Sequence, residues 1–206
     1  MIQLDLETLN KQLRDKTPEE IIDWALPLTD KRVVTTSFGI YSAVLLSTFA
    51  RKDPKIDVLW CDTLYNTPET YEHAKHLINR FELNVHRFTP LKSKSEIDLT
   101  IGVPGVEDNT HNEFAEVVKL EPFRRAMNKF NPEVWFTNIR VRQTEYRNSK
   151  DILSYSKDGV LKVSPFYYWS DSELDAFLEV RQLPKNSSYF DPVKALQSRE
   201  CGIHLQ

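Results

Sequence analysis

Apolar and polar positions change their period repeatedly along this chain. Near the N-terminus they predict two short helices. The second is opened by Thr17-Pro18-Glu19-Glu20, a capping box with proline at the first helical position. Lys31 to Thr36, rich in β-branched residues, predicts a buried strand. A tight loop, Ser37-Phe38-Gly39, leads into helical spacing from Ile40 to Phe49. The alternation then recurs: a strand over Ile56–Cys61, a helix opening at Thr67-Pro68-Glu69 and running to Phe81, and a strand over Asn84–Phe88. Residues 89–111 carry no period. A helical region from Asn112 breaks at Pro122 and resumes to Phe130, and Val134–Thr137 predicts a fourth strand. Asp158-Gly159 suits a hairpin turn, Ser170-Asp171-Ser172-Glu173 caps a last helix, and after Leu183-Pro184 the pattern stops.

Strands alternating with helices predict an α/β fold, a mostly parallel twisted sheet flanked by helices on both faces. The expected organisation is one domain over residues 1–184 and a mobile tail over 185–206. In such folds ligands sit beyond the carboxyl ends of the strands. Three polar loops fall at those ends: Ser37-Phe38-Gly39, Asp62-Thr63 and the stretch from Asn138 to Arg147.

The 206 residues are enough for one domain with its own core. A formal charge of -3, from 27 basic and 30 acidic residues, gives no argument for nucleic acid or an anionic membrane as partner. It leaves room for a local basic pocket. No apolar run approaches the ~20 residues of a membrane helix. Met1-Ile2-Gln3-Leu4-Asp5 lacks the basic start and apolar core of a signal peptide, so the cytoplasm is the expected location. The two cysteines, Cys61 and Cys201, exclude a disulfide framework and a four-cysteine metal or iron–sulfur site built by one chain.

Four groups of residues carry candidate chemistry. A glycine loop entering a helix, as at Ser37-Phe38-Gly39, presents backbone N–H groups and the positive end of a helix dipole to an anion; the same residues also suit a plain βα turn. No Gly-Lys-Ser/Thr follows, so it is not a Walker loop. Asp62, with Thr63, suits either a ribose hydroxyl or a capping role, and Cys61 reads as a small buried hydrophobe. Arg140, Arg142 and Arg147, with Lys119, Arg124 and Arg125 upstream, suit bidentate capture of phosphate or sulfate, or else form a solvated surface loop. The fourth group is Arg199-Glu200-Cys201-Gly202-Ile203-His204. There Arg199 and His204 favour the thiolate of Cys201 and Glu200 opposes it. A lone exposed cysteine would need an outside thiol to complete a redox cycle.

In this order the segments resemble the phosphoadenosine phosphosulfate (PAPS) reductase family, within the adenine-nucleotide α-hydrolase-like group. The resemblance runs from about Trp24 to His204. Val34-Thr35-Thr36-Ser37-Phe38-Gly39-Ile40 is similar to the family's modified pyrophosphate loop, and Asp62-Thr63 with Pro68-Glu69-Thr70-Tyr71 to its next motif. Lys119-Leu120-Glu121-Pro122, Asn138-Ile139-Arg140 with Gln143 and Arg147, and Lys162-Val163-x-Pro165 with Trp169 resemble the following segments. Glu200-Cys201-Gly202-Ile203-His204 matches the family's terminal signature.

The resemblance implies reduction of 3′-phosphoadenylyl sulfate to sulfite and adenosine 3′,5′-bisphosphate, in sulfate assimilation toward cysteine. Cys201 would be the nucleophile and carry an S-sulfocysteine intermediate, with Lys119 and His204 as catalytic partners. Ser37, Phe38, Gly39, Asp62, Thr63, Arg140, Arg142, Arg147 and Arg199 would bind substrate. Thioredoxin or glutaredoxin would be the reductant, no cofactor or metal would be bound, and a homodimer is expected. Tyr41 stands where ATP-splitting relatives carry aspartate, which disfavours an ATP pyrophosphatase. Phe114-Ala115 replaces the cysteine pair of the cluster-binding branch, so no iron–sulfur cluster is expected. The chain departs from the family in three places. Only Lys185 to Arg199 separate the Leu-Pro region from the cysteine motif, Asn138 replaces a glycine, and Val141 and Arg142 replace arginine and glutamate. Those departures keep two alternatives open: a cluster-free adenylyl sulfate reductase, and a nucleotide-binding relative without the activity.

Overall fold

In the computed structural model of the protein the described residues are 4–105, 109–141, 143–194 and 202–205. Two N-terminal helices, α1 (Leu6–Leu13) and α2 (Pro18–Ala25), precede the sheet. Thr17 and Glu20 close the expected capping box at α2. The alternation follows as β1 (Arg32–Thr36), α3 (Ser42–Lys52), β2 (Asp57–Cys61), α4 (Pro68–Phe81), β3 (Val85–Phe88), α5 (Lys94–Thr100), α6 (His111–Ala115), α7 (Glu121–Phe130) and β4 (Val134–Phe136). A short helix α8 (Glu145–Asn148), the hairpin strands β5 (Leu153–Tyr155) and β6 (Leu161–Val163), and α9 (Asp171–Val180) complete it.

The strands form one six-stranded sheet in the order β3-β2-β1-β4-β6-β5. Every pairing is parallel except that of β5 with β6. Side chains alternate between two covered faces, as a parallel sheet requires. Val34, Val58, Trp60 and Phe136 enter the larger core, with residues of α2, α3, α4 and α9. Val33, Leu59, Cys61 and Trp135 enter a smaller one, with Phe123 and Ala126 of α7. No helix among the described residues is long and apolar enough to cross a membrane.

Two elements differ from the sequence expectation. Helix α5 lies inside the stretch that carries no period; Ser93 and Glu96 cap it reciprocally, and Ile97 is its buried residue. The break expected at Pro122 does not occur. Backbone angles stay right-handed helical from Ala115 through Glu121, by way of a π turn at Glu116–Leu120. The wider turn accommodates a ring that cannot donate to the carbonyl four residues back.

Residues 185–194, expected to begin a tail, lie against the body. Asn186 donates from Nδ2 to the Phe38 carbonyl (2.9 Å) and to Thr70 Oγ1 (3.1 Å). Val193 is buried in a third apolar cluster with Ile97, Phe114 and Val118.

The outer edge of β5 is closed by a side chain. Asn10 of α1 donates from Nδ2 to the Leu153 carbonyl (3.0 Å) and accepts from the Leu153 N–H at Oδ1 (2.8 Å), imitating one more strand. Asn10→Ala would strand both backbone groups, so an unfolding free energy lower by about 2 kcal/mol is expected in urea denaturation.

Candidate active site

A cleft of about 250 Å³ opens where β1 and β4 end, at the point where the chain leaves the two neighbouring strands in opposite directions. Thr36, Ser37 and Gly39 line one side and Thr137, Asn138 and Arg140 the other. Lys119 and Asp191 form a third wall, and Ile203 and His204 reach in from the C-terminal segment.

The loop after β1 is held from behind. Phe38 has a positive φ of 49° and is fully buried, edge-on to Trp60 at 4.9 Å. Its N–H is donated to Thr36 Oγ1 (3.0 Å) and its carbonyl accepts from Asn186. Phe38 is thus a structural anchor that leaves Ser37 and Gly39 facing the cleft. Gly39 has Tyr189 against it: a Cβ there would lie 3.4 Å from that ring. Ser42, at the start of α3, lines the cleft and its Oγ is 3.1 Å from His73 Nε2 of α4. Burial pushes His73 down to about 4 from its ordinary 6.5, with His76 adding to the effect.

Lys119 lies in the π turn and pairs with Asp191. Their side chains are only 5% and 4% exposed, and Asp191 also accepts from Tyr189 (3.4 Å) and from the Val193 N–H (3.1 Å). Arg140 and Arg147 are not solvated. Gln143 Oε1 accepts from the Arg140 N–H (2.8 Å) and from the Arg147 guanidinium (2.5 Å). The Arg140 side chain is 11% exposed, pairs with Asp171, and lies over the Tyr41 ring at 4.9 Å. Asn138 donates to the Tyr41 carbonyl (3.0 Å), which fixes its amide; its buried Oδ1 has no partner among the described residues.

Asp62 and Thr63 sit behind the cleft wall. Asp62 is fully buried and accepts from the Leu64 N–H (3.0 Å), Asn66 Nδ2 (2.7 Å), the Tyr71 hydroxyl (2.9 Å) and Arg87 Nε (2.7 Å). Thr63 Oγ1 accepts from the Tyr65 N–H (3.2 Å). Both residues organise the turn that links β2 to α4. Tyr71 is pushed up to about 12, by burial first and the Asp62 charge next. Cys61 is buried and lines the cleft.

His204 is brought to the same cleft by the C-terminal segment. Its ring stacks on Trp135 at 5.3 Å and 9°. Arg142, Arg199 and Cys201 lie outside the described residues. Sequence reasoning gave no role to Trp135, Tyr146, Lys162 or Asp191. Lys162 carried a signal, a lysine flanked by apolar residues in a short strand. Asp191 carried none, because its partner is 72 residues away. Among the described residues no group of three or more His, Cys, Asp or Glu could hold a metal ion.

A parallel sheet with a short glycine loop, buried arginines and a lysine around one cleft is the layout of a nucleotide-binding α/β protein. Residues 31–195 match the model of the phosphoadenosine phosphosulfate reductase domain, and the chain belongs to that family. It is 33% identical over 187 residues to a phosphoadenosine 5′-phosphosulfate reductase of Xylella fastidiosa, covering 87% of this chain and 76% of that one. A Synechococcus protein of the same name is 32% identical over 228 residues, covering 97% of both chains. The crystal structure of PAPS reductase from Candida auris, a phosphate complex, has the same fold, with a TM-score of 0.79 at 24% identity over 91% of this chain and 92% of that one.

Two outcomes follow from the buried groups. Asp62→Ala removes the acceptor for four donors and should lower the unfolding free energy by about 2–4 kcal/mol, read by chemical denaturation. His73 is neutral in the fold and binds a proton more readily when unfolded. The stability His73 contributes is therefore full above 6.5 and is lost as pH falls from 6.5 toward 4. His73→Gln should flatten that part of a stability-against-pH profile.

Proposed function

We propose that the chain reduces 3′-phosphoadenylyl sulfate through Cys201, with thioredoxin or glutaredoxin as electron donor. The observation that carries this reading is the seating of Ile203 and His204, two and three residues on from Cys201, in the cleft that also holds Lys119 and the loop after β1. The names of the relatives support the substrate.

Ser37 and Gly39, at the entrance to α3, suit the anionic phosphosulfate. Lys119, Arg140 and Arg147 supply positive charge, together with Arg142 and Arg199 of the proposed binding set. Asn138 Oδ1, a buried acceptor with fixed orientation, suits an N–H or O–H of the nucleoside. Phe38, Asp62 and Thr63 contribute by shaping the two loops.

The Cys201 thiolate attacks the sulfate sulfur. An S–S bond forms, the S–O bond to phosphate breaks, and adenosine 3′,5′-bisphosphate leaves with the electron pair. Lys119, Arg140 and His204 stabilise the charge that develops on the transferring oxygens. A thiolate of the reductant then attacks Cys201 Sγ and sulfite departs with its pair. The second thiol of the reductant resolves the mixed disulfide, leaving the reductant oxidised and Cys201 reduced. Lys119 begins paired with Asp191, so substrate oxygens take over a cation whose desolvation has already been met. The reading includes a cytoplasmic homodimer with no bound cofactor.

Incubation with 3′-phosphoadenylyl sulfate and no reductant should add ~80 Da at Cys201, the mark of covalent catalysis. Cys201→Ser should abolish sulfite release and keep nucleotide affinity. An unmodified, folded, nucleotide-bound protein would contradict the mechanism. Equal or faster turnover of adenylyl sulfate would reassign the substrate.

A further inference from the structure

We infer that Lys162, Tyr146 and Trp135 form a seat for the C-terminal segment and act as positioning residues for the reaction. The inference rests on the reading that Cys201 is the nucleophile. Lys162 is the middle residue of β6 and is 1% exposed. An ammonium so deep is costly unless its protons are satisfied. Its Nζ donates to the His204 carbonyl at 2.9 Å and lies 4.8 Å from the centre of the Trp135 ring. The Tyr146 hydroxyl, from α8, donates to the same carbonyl at 2.7 Å. The His204 imidazole stacks on Trp135, which is itself held by Nε1 donating to Thr35 Oγ1 (2.7 Å) and by Phe123 at 5.1 Å.

The backbone beside His204 is equally constrained. Gly202 has a φ of 80°, and a Cβ there would come within 3.0 Å of Leu120 Cδ2. The segment therefore runs against the π turn that carries Lys119. Ile203 packs against both smaller apolar cores. Contacts from β4, β6, α8 and the π turn thus converge on three consecutive residues.

The contacts on the His204 carbonyl are polar, and that has a chemical meaning. Attack on a bound sulfonucleotide needs the segment closed over the cleft. Release of sulfite needs a dithiol protein to reach the same sulfur. The seat includes a doubly used carbonyl and a ring stack beside the packing of Ile203, and water replaces the two hydrogen bonds when the segment lifts. The seat sets the population of the closed state, and through it the rate of the first chemical step.

The test compares the full chain with Lys162→Met and Tyr146→Phe by hydrogen exchange and mass spectrometry. Exchange in the peptide covering residues 195–206 should quicken about fivefold in each variant, the scale of one lost hydrogen bond. Peptides from β1 and α4 should be unchanged. The kcat should fall by a similar factor, while the Kd for adenosine 3′,5′-bisphosphate, read by calorimetry, stays within about twofold. If Lys162→Met does not fold, Tyr146→Phe, which removes one oxygen from a half-buried side chain, carries the test. Unchanged exchange in the C-terminal peptide would overturn the seat, and so would a weakened Kd that accounts for the whole loss. Exchange does not depend on turnover. Faster exchange in a chain that never gains the ~80 Da mark would overturn the proposed chemistry and leave the seat standing. The mark with unchanged exchange would do the reverse.

Discussion

The site depends on the pairing of β1 with β4. Those two strands lie side by side at the centre of the sheet, yet β1 leads outward to β2 on one flank and β4 neighbours β6 on the other. Loops leaving their carboxyl ends must diverge, and a groove opens between them. The joint is fixed by backbone register, Val33 against Trp135, and by the bond from Trp135 Nε1 to Thr35 Oγ1. A shift of one residue would turn Trp135 to the opposite face, away from His204 and Lys162. The groove and the support of the C-terminal segment therefore share one determinant.

The electrostatics follow a similar economy. The cations around the cleft meet internal partners before any ligand arrives: Lys119 has Asp191, Arg140 has Asp171 and the Tyr41 ring, and Arg147 has Gln143. Each is held in place at low exposure, so in the proposed reaction the phosphosulfate meets donors already stripped of most water. This is how a chain of net charge -3 can keep a basic pocket. The position of each donor is set by folding.

Much of this was legible in the sequence, and the rest was not for definite reasons. The strands, α4, the caps at Thr17 and Ser170, and the Asp158-Gly159 hairpin follow from local period and local hydrogen bonding, which a short window contains. Helix α5 was missed because its period rests on a single buried residue, although Ser93 and Glu96 repeat the capping signature used elsewhere. The π turn was missed because a proline at position 122 reads as a stop, and only packing decides that the helix continues. Among the candidate site residues, Ser37, Gly39, Lys119, Arg140, Arg147 and His204 do meet at or beside one cleft. Asp62 and Thr63 accept from backbone N–H groups of the turn after β2, while the cap of α4 is Thr67. The partners of Lys119 and His204 are separated from them by dozens of residues, and no local pattern encodes such pairs.

Asn10 has a consequence beyond its two hydrogen bonds. A strand with unsatisfied N–H and C=O groups along its outer side is a template for strands of other molecules. On β5 that template is blocked at Leu153 by a side chain from the first helix. The N-terminal helix thus acts as a guard on solubility. A chain begun after residue 10 would lose this block and expose an open sheet edge at β5, visible as self-association that grows with protein concentration.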